Sequence, residues 1–97
     1  MGAYWIAHVT VHDAEAYGKY AALATDAIAQ HGGKFLARAK GRYQQMEGTD
    51  HARNVVAYFP TFEDAVTCYN SDIYKQALAH AEGAATRDLV IVEEDPT

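Results

Sequence analysis

The sequence predicts an α+β domain of the ferredoxin-like class, in which a four-stranded antiparallel sheet carries helices on one of its faces. Two observations lead to this prediction. The predicted elements follow one another in the order β-α-β-β-α-β, which is that of a split βαβ unit. The 97 residues are enough for one hydrophobic core and too few for two. We therefore expect a single domain over residues 1–97.

The first predicted strand, residues 4–11, is rich in aromatic and β-branched side chains, which are typical of strands. Successive side chains of a strand point to opposite faces, so large apolar groups fall on both faces of this one. Such a strand is expected at the centre of the sheet, covered on both sides. One face carries Tyr4, Ile6, His8 and Thr10, and the other carries Trp5, Ala7, Val9 and Val11.

Capping residues and apolar repeats mark the helices. Asp13 is placed to accept hydrogen bonds from the first turn of a helix over residues 14–31, where apolar side chains recur every three or four positions. Gly32-Gly33 ends this helix, because glycine adopts the left-handed conformation without steric cost. The other helices are predicted over residues 62–69, after the N-cap Thr61, and over residues 72–81, after the N-cap Ser71.

The remaining strands carry weaker signals. A second strand is predicted over residues 34–39, and residues 43–47 continue or follow it after Gly41, where a bulge or bend is expected. A polar turn over residues 48–52 comes next. The last two strands are predicted over residues 53–59, which end before Pro60, and over residues 89–93.

This arrangement leaves one face of the sheet without helices. The central strands still present apolar side chains there, and no other segment is long enough to cover them. Burial of apolar surface is worth about 25 cal/mol per Å², so an uncovered face favours association. We therefore predict a homodimer that packs sheet against sheet.

Charge and composition exclude several classes of protein. The net charge of −5 argues against general binding to nucleic acid or to anionic lipid. No run approaches the roughly 18 apolar residues of a membrane span, and the first residues lack the basic leader of a signal peptide. The single cysteine, Cys68, forms no internal disulfide and fits a reducing compartment. We expect a cytoplasmic protein whose cysteine is buried and inert.

Five polar side chains on the predicted strands are candidates for a site. His8 is the candidate acid or base, since imidazole titrates near neutrality; the alternative is a hydrogen-bonded histidine at the dimer interface. Arg38 and Arg53, on neighbouring strands, are candidates for binding a carboxylate; the alternative is ion pairing with an acidic side chain such as Glu47, Asp50 or Glu93. Tyr58 and Tyr4 are candidate hydrogen-bond donors to a ligand, or else packing residues.

The histidines predict no metal site. His8 and His12 share a strand face but lie four residues apart, roughly 13 Å in an extended strand. That separation is too long for two ligands of one zinc ion at about 2.1 Å. The other three histidines, His31, His51 and His80, show no metal-binding spacing.

A series of short motifs extends over nearly the whole chain, and their order and spacing together are fairly specific. They are Tyr4-Trp5-Ile6-Ala7, Tyr17 with Tyr20, Gly32-Gly33-Lys34-Phe35-Leu36-Ala37-Arg38, Glu47-Gly48, Arg53-Asn54-Val55-Val56 leading to Phe59-Pro60, Tyr69-Asn70-Ser71 followed by Tyr74, and Asp88-Leu89-Val90-Ile91-Val92-Glu93. In these motifs the chain resembles the uncharacterised family known as domain of unknown function 1330. The resemblance implies a ferredoxin-like subunit that pairs into a dimeric α+β barrel, and it implies no settled activity.

One position departs from the pattern of that family. Relatives often carry an arginine late in the second helical region, where this chain has His80, Glu82 and Gly83. An anion-binding role for that arginine therefore does not carry over. Related barrel families include cofactor-free oxygenases, haem enzymes and small isomerases, which are connected to this chain by fold analogy alone.

Three functional hypotheses follow. In the first, the chain binds or converts a small carboxylate-bearing molecule between sheet and helices, without a cofactor. In the second, it is a non-catalytic dimeric interaction or scaffold module, and the same polar residues make interface hydrogen bonds and ion pairs. In the third, it is a haem-binding barrel, which requires a histidine as axial ligand. We favour the first hypothesis and expect no cofactor.

Overall fold

The chain folds into a four-stranded antiparallel sheet with three helices packed against one face. The computed structural model describes residues 1–96. The sheet order β2-β3-β1-β4 confirms the predicted ferredoxin-like class and places the first strand in the interior of the sheet. The elements are β1 (Ala3–Val11), α1 (Ala14–Gln30), β2 (Lys34–Arg38), β3 (Arg53–Phe59), α2 (Phe62–Tyr69), α3 (Asp72–Ala81) and β4 (Ala85–Glu93).

The three predicted N-caps are all formed. The side-chain oxygens of Asp13, Thr61 and Ser71 each accept a hydrogen bond from the backbone N–H three residues later, at 3.2, 3.0 and 3.2 Å. Each bond satisfies a donor that the first turn of a helix leaves free. The helices therefore begin where the sequence places them.

Trp5 lies at the centre of the core, between sheet and helices, and is 2% exposed. Its ring contacts the ring of Tyr74 edge-on at a centroid distance of 5.1 Å and that of Phe59 at 5.6 Å. Cys68 is fully buried in the same cluster, and burial raises the pKa of its thiol to about 11. The cysteine is therefore a protonated packing residue at neutral pH.

Two segments depart from the predicted strands. Residues 43–47 form no strand, because β2 ends at Arg38, Ala39 turns the chain with a φ of 62°, and the following residues 41–50 are exposed with no strand to pair with. The fourth strand begins at Ala85 rather than at residue 89, because β1 pairs with it along its whole length, up to Val11 opposite Ala85.

A β-bulge lies at Leu36, and the chain bends at Gly41, where the sequence predicts a bulge or bend. Phe35 pairs with Ala57 and Ala37 with Val56, so Leu36 is the extra residue in β2. An extra residue reverses the alternation of side chains beyond it. Arg38 consequently points to the same side of the sheet as Phe35, toward the helices, and pairs with the buried Val55.

The face of the sheet that the helices leave uncovered, called the open face below, is part apolar and part polar. Val90 and Val92 are 51% and 45% exposed there, and Ile6 and Val56 are half-buried beside them. No helix within residues 1–96 is long and apolar enough to cross a bilayer. The open face includes Tyr4, Ile6, His8 and Thr10 of β1, Lys34 and Ala37 of β2, Asn54, Val56 and Tyr58 of β3, and Thr86, Asp88, Val90 and Val92 of β4.

Candidate functional site

Three arginines from three different strands point to the helix-covered side of the sheet. Arg53 of β3 and Arg87 of β4 both pair with Val9 of β1, which is buried beneath the helices. Arg38 of β2 pairs with Val55, which has the same orientation. Because paired residues share a face, all three side chains extend into the layer between sheet and α1.

These arginines line one cavity between the sheet and α1, which we call the arginine pocket. Its volume is about 30 Å³, which is room for roughly two water molecules. Its other walls are mainly apolar and aromatic. They include Trp5, Ala7, Tyr17, Ala24, Ile28 and Phe35.

Each guanidinium group lies near an aromatic ring of the pocket. Such cation–π contacts stabilise a cation by roughly 0.5–1 kcal/mol at exposed sites and by more where water is excluded. They also restrict where the guanidinium group can lie. The pairs are Arg38 with Phe35 at 4.0 Å, Arg53 with Tyr17 at 5.4 Å and Arg87 with Tyr20 at 4.5 Å from the ring centroid.

The pocket has an excess of hydrogen-bond donors. Arg38 donates from Nη2 to Thr25 Oγ1 at 2.6 Å, and the Thr25 hydroxyl donates in turn to the carbonyl oxygen of Ala21 at 2.7 Å. The Nε atoms of Arg53 and Arg87 are buried and have no hydrogen-bond partner. Buried donors are almost always paired in folded proteins, so two orphan donors beside one cavity favour the binding of an acceptor there.

No carboxylate of residues 1–96 neutralises these arginines. The alternative ion pairs of Arg38 and Arg53 with Glu47, Asp50 or Glu93 do not form, and the one ion pair within 4.0 Å among residues 1–96 joins His51 to Asp88. Three cations therefore converge in a chain whose net charge is −5. A cluster of partly buried cations without a counter-charge lowers stability and attracts an anion.

Tyr20, Tyr74 and Arg87 form a hydrogen-bonded cluster at one end of the pocket. Arg87 Nη2 donates to the hydroxyl oxygens of Tyr20 at 2.6 Å and Tyr74 at 3.1 Å, and the two hydroxyls lie 2.7 Å apart. Burial raises the pKa of both tyrosines above its usual value, so both stay protonated. Burial disfavours the Arg87 cation, but the surrounding phenolic oxygens offset this effect and the pKa of Arg87 is raised.

The sequence of the chain identifies its family. A profile for a domain of unknown function, DUF1330, matches residues 2–95. The chain belongs to this family. None of the proteins whose functions have been curated matches the sequence.

Solved structures share the fold at low sequence identity. A protein of unknown function from Rhodopseudomonas palustris gives a TM-score of 0.77 at 18% identity, covering 99% of this chain and 84% of that one. SnoaB, a cofactor-independent oxygenase from Streptomyces nogalater, gives a TM-score of 0.68 at 12% identity, covering 99% of this chain and 95% of that one. A dimeric ferredoxin-like protein of unknown function from Thermobifida fusca gives a TM-score of 0.56 at 16% identity, covering 97% of this chain and 92% of that one. At these identities the likeness shows the fold.

The DUF1330 chain brings only two of the five predicted site residues together. Arg38 and Arg53 share the arginine pocket, whereas His8, Tyr4 and Tyr58 lie on the open face. The sheet itself separates the two groups. Within one subunit, therefore, His8 does not reach a ligand that is bound by the arginines.

The residues on the open face bind one another. His8 Nδ1 lies 2.6 Å from Asn54 Oδ1. The Tyr58 hydroxyl donates to Glu94 Oε1 at 2.7 Å, and the backbone N–H of Gly2 donates to the same oxygen at 2.5 Å. The bond from Gly2, which has the larger effect, and the bond from Tyr58 both lower the pKa of the Glu94 carboxyl. Tyr58 is therefore engaged in anchoring the segment that follows β4.

A polar cluster surrounds His51, which is 7% exposed. Its Nδ1 lies 2.8 Å from Thr10 Oγ1 and its Nε2 lies 3.8 Å from Asp88 Oδ2. Within the described residues 1–96, no three His, Cys, Asp or Glu side chains converge in a way that could hold a metal ion. His51 does not line the arginine pocket, and its partners Thr10 and Asp88 belong to the open face.

Two pocket residues are absent from the sequence-based candidates. Arg87 is not among the candidates because the predicted fourth strand begins two residues after it. A fourth strand long enough to pair with all of β1 includes Arg87. Tyr20 lies in the apolar repeat of α1, and its ring packs in the core. Its hydroxyl also forms hydrogen bonds with Tyr74 and Arg87. The third pocket arginine of the DUF1330 chain comes from β4.

Proposed function

We propose that the arginine pocket binds the carboxylate of a small organic molecule. One observation supports this most strongly: three guanidinium groups line one cavity, two of them have buried Nε donors without a partner, and no carboxylate of residues 1–96 lies within 4.0 Å. Arginine binds a carboxylate through two parallel N–H···O bonds, and the orphan Nε–H groups are available to form such bonds.

The dimensions of the pocket favour a short ligand. A volume of about 30 Å³ accommodates the two oxygens of one carboxylate in place of two water molecules. The apolar walls around Trp5 and Phe35 suit a small hydrocarbon portion. Longer molecules require the arginine side chains to move toward the mouth of the pocket.

The chemistry of the lining favours binding and stabilisation of negative charge over proton abstraction. Arginine remains protonated, and the raised pKa of Tyr20 keeps its hydroxyl neutral, so the pocket offers donors and no base. A weakly acidic group of the ligand becomes more acidic in such surroundings. The proposal involves no cofactor, in keeping with the cofactor-independent oxygenase that shares the fold.

We further propose that two chains pack through their open faces. Val90 and Val92 are half-exposed on this face beside Ile6 and Val56, and burying them against a second copy removes apolar surface from water. Structures with this fold include proteins described as dimeric. In this arrangement His8 lies at the subunit interface, and each arginine pocket stays on the far side of its own sheet.

We assign the protein to a reducing compartment, the cytoplasm. The buried and unpaired thiol of Cys68 supports this assignment, since free cysteines persist where disulfides are reduced.

The fluorescence of Trp5, the only tryptophan and a wall of the pocket, reports on binding directly. Acetate and propionate are expected to change this fluorescence saturably. Arg53→Gln should weaken that binding about 30-fold or more, which corresponds to a loss of about 2 kcal/mol of binding free energy when the contact between guanidinium and carboxylate is removed. Arg42→Gln, which removes the same charge from the exposed loop, should leave it unchanged. If neither acid binds, or if both variants behave alike, the proposed function is wrong.

A further inference from the structure

The cluster of Tyr20, Tyr74 and Arg87 has one more hydroxyl proton than its internal bonds use. Arg87 donates to both hydroxyl oxygens, so these two bonds occupy lone pairs of the tyrosine oxygens and leave both hydroxyl protons free to be donated. The 2.7 Å bond between the hydroxyls uses the proton of one tyrosine. Burial keeps both tyrosines protonated, so the second O–H has no acceptor among residues 1–96.

The surroundings of the two rings decide which tyrosine carries the free O–H. Tyr20 lines the arginine pocket, whereas Tyr74 is fully buried in the core and does not line it. A free hydroxyl inside the core costs roughly 1–3 kcal/mol. The favoured arrangement is therefore Tyr74 donating to Tyr20, with the proton of Tyr20 directed into the pocket.

The free O–H and the orphan Nε of Arg87 form a second donor group, separate from Arg38 and Arg53. Arg53 and Arg87 flank β1 on opposite sides, two strand spacings or about 10 Å apart at their Cα atoms. Arg38 lies on the far side of Arg53, on β2. The pocket thus has one pair of donors at the β2–β3 side and another at the β4 side.

We propose that the pocket selects carboxylic acids that carry a second acceptor oxygen a few bonds from the carboxylate, namely short oxo acids and dicarboxylates. This inference rests on the proposed function. Arg38 and Arg53 bind the carboxylate, and the Tyr20 hydroxyl with Arg87 Nε binds the second oxygen. An acid without that oxygen leaves both of these donors unpaired and binds more weakly.

A series of acids with four carbons tests the selection at constant chain length. Butyrate has no second acceptor, whereas 2-oxobutyrate, 3-oxobutyrate and succinate place one at increasing distance from the carboxylate. Isothermal titration calorimetry should show at least one of these three binding about tenfold more tightly than butyrate. The preferred acid reports the distance between the two donor groups.

Two isosteric variants separate recognition from structure. Tyr20→Phe keeps the ring and removes the free hydroxyl, so the preference over butyrate should fall to about twofold or less. Tyr74→Phe removes an equally buried hydroxyl but leaves the O–H of Tyr20 free, so the preference should persist. Equal binding of all four acids, or a preference that Tyr20→Phe retains, overturns this inference and leaves the proposed function standing. If no acid binds, both are overturned.

Discussion

Replacing Arg53 with methionine is expected to raise the free energy of unfolding of the ligand-free protein by about 1 kcal/mol while abolishing carboxylate binding. Arg53 has a buried Nε without a partner and no carboxylate of residues 1–96 within 4.0 Å. Methionine fills a similar volume without a charge to desolvate, and apolar replacement of poorly compensated buried charges is often stabilising. Urea unfolding measures the first effect, and titration of Trp5 fluorescence with acetate measures the second.

The exposed loop supplies a matched control. Arg42→Met removes the same functional group from an exposed residue, so the stability should change by no more than about 0.5 kcal/mol and binding should be retained. The scaffold hypothesis gives the opposite result, because it makes Arg53 a structural residue. A loss of 1 kcal/mol or more in Arg53→Met, with no ligand effect, would favour that hypothesis.

Val90→Asp is expected to convert the dimer into a monomer. In the sheet Val90 lies beside Ile6, which lies beside Val56, and together they form the apolar part of the open face. A carboxylate buried in such an interface costs several kcal/mol, so the dimer dissociation constant should rise at least about 100-fold. Sedimentation equilibrium over a range of protein concentrations measures it directly.

Carboxylate binding by the monomeric variant distinguishes assembly from site formation. The arginine pocket lies on the other side of the sheet, so Val90→Asp should bind acetate as the parent protein does. Ala79→Asp, on the exposed side of α3, introduces the same charge away from the open face and should leave the dimer intact. A parent protein that is monomeric at all concentrations would contradict the sheet-to-sheet arrangement.

Local signals were sufficient to predict the order and type of the elements. Asp13, Thr61 and Ser71 are strong N-caps, and the structure forms all three bonds. The alternation in β1 correctly placed Trp5 and His8 on opposite faces of the sheet, because a central strand without a bulge keeps its period of two. These features depend on neighbours in sequence, which is why the sequence reveals them.

The site depends on features that act between strands. Arg38 faces the helices only because the bulge at Leu36 reverses the alternation, and simple counting from Lys34 would place it on the open face. Arg87 belongs to a segment whose strand character comes from pairing with β1 rather than from its own residues. The sequence therefore indicated arginines as anion ligands, but it did not show that His8 lies across the sheet from them.

The arginine Nε–Hε signals in a ¹⁵N–¹H spectrum test the central claim most directly, since each reports on one side chain. On titration with acetate, we predict a saturable shift of the Arg53 signal and no shift of the Arg42 signal. An Arg53 signal that stays fixed throughout the titration, or that moves only in parallel with Arg42, would contradict an anion site in this pocket.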